Sequence, residues 1–221
     1  MKKEIYQQIS RVGKAVANPG RLELLDLLTQ GPRTVEGLAR EAGISVANAS
    51  QHLRILRAAR LVEAEKRGLF VIYRLADQGV GDFFLTLRTL AEDRLADIER
   101  IVRQFMEGRE SLEPVERESL LDRVREGVVT VVDVRPREEY QAGHIPGAVS
   151  VPLKELESYF SRLPSDRRIV AYCRGPYCVL AIEAVEILRA HGFRATRLDD
   201  GVLEWRARGL PISVGGETAA V

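Results

Sequence analysis

Both cysteines of the chain fall in one short stretch, Cys173-Arg174-Gly175-Pro176-Tyr177-Cys178. Before it runs Arg168-Ile169-Val170-Ala171-Tyr172, apolar and β-branched enough to form a strand. After it, Val179 to Leu188 carries the apolar spacing of a helix. A cysteine on a strand-to-helix loop faces backbone N–H groups and the positive end of a helix dipole. Both favour thiolate over thiol, so Cys173 is expected to be a nucleophile near neutral pH. Cys178 has two readings. It could attack a modified Cys173 and close a disulfide or polysulfide link, which needs Cα atoms within about 7 Å. Alternatively, it is a small residue that starts the helix.

The elements that position this loop alternate. A helix around Glu116 to Glu126 precedes a strand at Val128 to Val134, then a short helix around Arg137 to Gln141. Strand Ala148 to Val151, a helix around Lys154 to Phe160, strand Ile169 to Tyr172 and helix Val179 to His191 follow. Strand Ala195 to Leu198 and a helix around Val202 to Arg208 close the series. Alternating strands and helices predict an α/β domain with an open, mostly parallel sheet.

The first half is different in kind. Ile5, Ile9, Val12 and Val16 are spaced as a helix, broken by Asn18-Pro19-Gly20. A Leu-rich helix from Arg21 to Thr29 follows, and Thr34 caps another over Val35 to Glu41. Gly43 ends it, Ile44 fills the turn, and Ser45 caps a helix from Val46 to Ala59. Helix, glycine turn and second helix form the helix-turn-helix pattern. Two strands around Lys66-Arg67-Gly68 add a basic wing. A long helix from about Val80 to Phe105 carries Phe84, Leu87, Ala91, Ile98, Val102 and Phe105 close to one stripe. Its length suits a homodimer seam, with packing inside one chain as the plainer use. Gly108 to Pro114 is polar and breaks the pattern. The expected organisation is therefore a first domain over 1–107, a linker over 108–114, a second domain over 115–214 and a tail over 215–221.

Bulk composition is compatible with this division. The chain has 221 residues, 45% apolar and 29% charged, which describes globular domains rather than a disordered chain. No apolar run approaches the roughly 20 residues of a membrane span, and the N-terminus lacks a signal-peptide core. Two cysteines do not make a secreted disulfide scaffold. A cytoplasmic location is expected. Residues 1–76 hold 13 Lys+Arg and 7 Asp+Glu, an excess of +6, whereas residues 77–221 hold 20 and 25, an excess of −5. A basic first half suits an anionic partner.

From Asn18 to Leu75 the chain resembles the ArsR-type winged-helix regulators. The matching residues are Ala17-Asn18-Pro19-Gly20-Arg21, Leu38-Ala39, Gly43-Ile44-Ser45, Ala49-Ser50-Gln51-His52-Leu53-Arg54-Ile55-Leu56 and the Gly68 hairpin ending in Tyr73-Arg74-Leu75. The resemblance implies homodimers on double-stranded DNA at an inverted-repeat operator, usually as repressors released by a signal. Metal sensing is not expected, because the helix over Thr34 to Arg40 has no cysteine and that over Val80 to Phe105 no histidine. No cofactor is expected either. On the recognition helix Ser45, Val46, Ala47, Asn48, Ser50, Gln51 and Arg54 should be exposed. Asn48 and Gln51 can read adenine edges, and Arg54 can meet phosphate or guanine. Lys66 and Arg67 suit DNA backbone or minor-groove contact. His52 should face the helix-turn-helix core or a phosphate.

From about Pro114 to Ser213 the chain resembles a single rhodanese domain, a sulfurtransferase fold. The residues carrying this are Val132-Asp133-Val134-Arg135, Glu138-Glu139-Tyr140, Gly143-His144-Ile145-Pro146-Gly147-Ala148, and Gly201-Val202-Leu203-Glu204-Trp205 with Gly209-Leu210-Pro211. The resemblance implies that the loop cysteine takes a sulfane sulfur as a persulfide and passes it on, and Cys173 stands at that position. Cys173, Arg174, Gly175, Tyr177 and Cys178 are thus the candidate site residues, with a sulfane-sulfur donor or oxidant as partner. Two departures argue against efficient thiosulfate turnover. Cys178 stands where thiosulfate-using members often have Arg, and Pro176 removes one N–H from the loop. Asp133, Arg135 and His144 are expected to be structural, and Trp205 to be core.

Three functions follow as expectations. The first is a transcription regulator, repressing by default, whose rhodanese domain senses reactive sulfur or oxidants through Cys173 with Cys178 assisting. The second is a rhodanese-type sulfurtransferase with a Cys173 persulfide and a separately acting DNA-binding domain. The third is an adaptor whose rhodanese domain only binds protein.

Overall fold

Caps written into the sequence set the helix boundaries of the first half. A computed structural model describes residues 1–106 and 117–216, with side chains at 105, 106, 117 and 118 undescribed. It divides the chain into two units, Met1–Ala91 and Glu92–Val221. The segment expected as a linker, Gly108 to Pro114, lies outside the described residues, as do residues 217–221 of the expected tail.

In the first unit α1 (Lys2–Val16) is closed by Arg21, whose guanidinium donates to the carbonyls of Ala15 and Lys14. Those carbonyls have no partner within the helix, so the arginine replaces water there. Helix α2 (Pro19–Thr29) starts from Asn18, whose side chain accepts from the Arg21 N–H at 3.1 Å, with Pro19 in the first turn. Thr34 caps α3 (Val35–Glu41) and Ser45 caps α4 (Val46–Ala58), each accepting one amide hydrogen bond, from Gly37 at 3.1 Å and Asn48 at 3.2 Å. Between them Gly43 takes φ +64, and the Ile44 N–H reaches back to the Ala39 carbonyl at 3.0 Å. That left-handed residue turns the chain from α3 into α4. Leu24, Leu25, Leu38, Leu53 and Leu56 are fully buried.

Strands β2 (Val62–Arg67) and β3 (Phe70–Leu75) pair antiparallel with Arg67 opposite Phe70. The wing turn is therefore Gly68-Leu69, one residue beyond the expected tip, and Gly68 supplies its φ of +60. A strand not expected from the sequence, β1 (Arg33–Thr34), pairs with the other edge of β3. Two residues are too few to show alternation.

The single long helix expected over Val80 to Phe105 is instead two helices, α5 (Gln78–Arg94) and α6 (Ala96–Met106). The division between the two units falls inside α5. The ladder breaks at Leu95, whose carbonyl takes the Ile98 N–H at 2.9 Å, a three-residue closure that starts a fresh turn. On the expected stripe Phe84 is buried and Leu87, Ala91, Ile98 and Val102 are partly buried. Off it, Leu90, Leu95 and Ile101 are more than half exposed, as are Ile5, Tyr6 and Ile9 on α1.

The second unit holds α7 (Arg117–Arg125), β4 (Val129–Asp133), α8 (Arg137–Ala142), β5 (Val149–Ser150), a 3-10 helix (Leu153–Tyr159), β6 (Arg168–Tyr172), α9 (Leu180–Ala190), β7 (Ala195–Arg197) and α10 (Val202–Ala207). The parallel sheet runs β5-β4-β6-β7, as the alternating elements predict. The 3-10 geometry begins with the Glu155 N–H on the Pro152 carbonyl at 2.7 Å. Strand alternation sorts the core into two layers. Val129, Val131, Val170 and Tyr172 lie in one cluster with Leu120 and Trp205. Val132, Ile169 and Ala171 lie in the other, with Val185 and Leu188 of α9. Cys173 continues the Ile169, Ala171 series and so projects to the α9 side.

Candidate functional sites

The loop after β6 begins where that strand leaves the sheet. Cys173 is 2% exposed, while Cys178, at the end of the loop, is only partly buried. Both are free thiols. The turn between them is held by the Cys178 N–H on the Gly175 carbonyl at 3.2 Å. The Cys173 S–H donates to the Cys178 carbonyl oxygen at 3.5 Å.

Backbone amides surround both sulfurs. Those of Ala181 and Gly175 reach Cys173, and those of Arg174 and Leu180 reach Cys178. Leu180 and Ala181 open α9, so the expected helix N-terminus is in place. Burial, then its hydrogen bond to Cys178, push the Cys173 thiol well above its ordinary range. The S–H of Cys173, the Arg174 and Leu180 amides and the Arg174 guanidinium outweigh burial at Cys178 and lower its pKa to about 6.

Arg174 does not point freely at substrate. Its guanidinium grips Glu139 of α8, with Nη2 to Oε1 at 2.6 Å and Nε to both carboxylate oxygens at 3.1 Å. Gly175 has φ +138, and a Cβ there would stand 3.2 Å from both carboxylate oxygens of Glu204. Glu204 in turn accepts the Gly201 N–H at 2.7 Å. A Cβ on Gly201 would lie 2.4 Å from the Arg174 carbonyl oxygen, so the start of α10 is pressed against the loop backbone. Tyr177 is 48% exposed at the rim. Glu139, Gly201 and Glu204 were missed as site residues. A glycine cap followed by Glu at N3 is the signal that could have found the last two, whereas Glu139 was read only as part of the family motif Glu138-Glu139-Tyr140.

Asp133 and Arg135 form a closed buried network. Arg135 donates to Asp133 at 2.9 Å and to the Gly143 carbonyl at 2.7 Å, and the Tyr172 hydroxyl donates to Asp133. His144 stacks on Tyr140 with ring centroids 3.7 Å apart. Trp205 is fully buried and donates to the Pro211 carbonyl at 2.9 Å.

On α4, Ala49, Leu53 and Leu56 are buried, which turns Val46, Ala47, Asn48, Gln51 and Arg54 outward. Ser50 is partly buried. Ser45 is exposed, but its hydroxyl is occupied as the cap of α4. His52 is packed against Gly20 of α2, where a Cβ would meet its Nε2 at 3.2 Å. On the wing Lys66 is exposed, while Arg67 is held by Glu65 on the same strand at 3.0 Å.

Known proteins divide along the same line. Residues 18–64 match the bacterial regulatory protein, arsR family, and residues 116–208 match the rhodanese-like domain. An HTH-type transcriptional regulator of Mycobacterium tuberculosis is 46% identical over 97% of the chain and 94% of its own length. A sulfurtransferase of Allochromatium vinosum is 33% identical over 44% of the chain and 92% of its own length. A solved homodimeric winged helix-turn-helix DNA-binding domain from Mycobacterium bovis is 40% identical, covering 42% of this chain and 87% of its own, with a TM-score of 0.41. Among the described residues, no helix is long and apolar enough to cross a membrane.

Proposed function

The chain belongs to the ArsR-family HTH-type transcriptional regulators and carries a C-terminal rhodanese domain, and from that premise we propose that it is a repressor released by reactive sulfur or oxidants acting on the Cys173–Cys178 loop. The observation that carries this is the pair of free thiols closing one short loop at the start of α9, with Cys173 Sγ 3.5 Å from the Cys178 carbonyl oxygen. Such a pair reacts with electrophilic sulfur and changes charge and shape when it does.

Asn48, Gln51 and Arg54 face the DNA bases, with Lys66 of the wing on the phosphates. Two chains meet on an inverted-repeat operator. The exposed apolar side chains of α1, Ile5, Tyr6 and Ile9, and of α5, Phe83 and Leu90, supply surface for a second copy. The assigned domains are 1–107 and 115–214.

Fluorescence anisotropy on DNA from the gene's own upstream region, at fixed salt, tests the coupling. Treatment with a polysulfide donor should weaken binding by wild type and leave the Cys173→Ser, Cys178→Ser double variant unchanged. Equal affinity in every state would sink the switch.

A second reading is favoured by the likeness of the rhodanese half to a sulfurtransferase. The domain would then turn over a sulfane-sulfur donor on its own account, independently of DNA. The neutralised Arg174 and the proline in the loop favour a persulfide donor over the thiosulfate dianion.

A further inference from the structure

We propose that the tip of the wing is an apolar wedge for DNA, with Leu69 entering the minor groove beside the recognition helix and bending the duplex there. This rests on the reading of the first unit as DNA-binding and adds a contact that the basic residues of the wing do not supply.

The hairpin carries its tip clear of the protein. Strands β2 and β3 pair from Val62 opposite Leu75 at the base to Arg67 opposite Phe70 at the end. At about 3.4 Å per residue the tip stands about 17 Å from the base. Val62 is buried, whereas every residue from Glu65 to Phe70 is exposed. Gly68, with φ +60, takes the first place of the two-residue turn, as in a type II′ turn, and Leu69 takes the second. Leu69 is 97% exposed, more than any other large apolar side chain among the described residues, and its neighbour Phe70 is 56% exposed. Folding gains nothing from apolar side chains left in water, so this pair is surface for a partner.

Charge identifies that partner. Glu65 holds Arg67 and Glu63 holds Arg74, so the acids of the wing are engaged by its arginines. Lys66 stands exposed beside the tip and gives the hairpin an excess of positive charge. An apolar tip flanked by a cation fits a duplex groove. Phosphates along its rims meet Lys66, and an opened base step takes the leucine. The hairpin also lies in the right place, because β2 packs against α4, whose outer face carries Asn48, Gln51 and Arg54. With α4 in the major groove, the tip reaches the minor groove next to it. Opening a base step costs least at flexible pyrimidine–purine steps. Leu69 therefore adds a preference for TA or CA at the edges of the operator without a hydrogen bond to any base.

Resonance energy transfer across an end-labelled duplex from the gene's own upstream region, bound by the full-length protein, reads the bend. Wild type should bring the ends together through a bend of about 20–90°. Leu69→Ser should straighten the complex and lose about tenfold in affinity, the worth of burying a leucine side chain. Its salt slope should match that of wild type, because no phosphate contact is removed. Leu69→Met, still apolar, should keep both bend and affinity. Neither substitution should move the unfolding midpoint, since the position is exposed. A Leu69→Ser protein that bends and binds DNA as wild type does would overturn the wedge while leaving the DNA-binding reading intact, and so would a straight wild-type complex. A Leu69→Ser chain that sediments as a smaller species than wild type would assign the tip to a second copy and overturn the wedge as well. Wild type that fails to bind the duplex even at low salt would overturn both.

Discussion

The recognition helix and the cysteine loop present their chemistry in opposite ways. On α4 the polar side chains Asn48, Gln51 and Arg54 stand outside a helix whose inner face is Ala49, Leu53 and Leu56. Their function is set by residue type and helical angle, and the rest of the unit only supports the helix. In the loop, Cys173, Arg174 and Gly175 are buried or mostly buried against groups from α8, α9 and α10. Their chemistry is set by neighbours. Substitutions should therefore act mainly on binding in the first region, and on stability and reactivity together in the second.

The largest effect is expected at Glu139→Ala. It leaves the Arg174 guanidinium, 15% exposed, without a carboxylate that is itself 2% exposed. Breaking a buried pair from one side costs about 3 kcal/mol or more. Thermal unfolding should show that loss, and thiol labelling should show a changed ratio of Cys178 to Cys173. The exposed pair between Arg67 and Glu65 is the contrast, since Glu65→Ala should leave the unfolding midpoint in place. Equal effects at the two pairs would erase the distinction between the regions.

Gly201→Ala should come next. Its Cβ would stand 2.4 Å from backbone oxygen and 2.8 Å from the Gly175 nitrogen, neither of which can swing aside. Overpacking of this kind costs about 1–3 kcal/mol, and it acts directly under the cysteine loop. Gly13→Ala on α1 is the control. Nothing lies within 4 Å of its Cβ, and a helical glycine replaced by alanine gains about 0.5–1 kcal/mol. Opposite signs at these two glycines, measured by denaturant unfolding, would confirm that the loop is seated on α10.

This contrast also explains how much could be read from sequence. Caps at Thr34 and Ser45 set two helices, and the succession of strands and helices set the sheet, because both are local signals. The cysteine loop was placed correctly between β6 and α9 for the same reason. The packing around it was not legible: Arg174 is held by Glu139, 35 residues earlier, and Cys173 is buried, and neither has a local mark. The break at Leu95 was likewise invisible. No proline or glycine marks it, and the stripe from Phe84 to Val102 continues across it in sequence.

The smallest effects should separate two positions inside the DNA-binding unit. Arg54 leaves the exposed face of α4, whereas Lys66 stands on the wing strand beside an arginine already held by Glu65. Removing a base-reading arginine costs about 1–3 kcal/mol and relaxes sequence preference at its position. Removing a phosphate contact weakens all sequences alike and lowers the salt slope by about 1. Arg54→Ala should therefore narrow the gap between operator and random DNA in anisotropy titrations, and Lys66→Ala should shift both curves together. A Lys66→Ala protein that loses discrimination instead would mean that the wing reads sequence. Function in this unit would then depend on long-range placement, as it does in the cysteine loop.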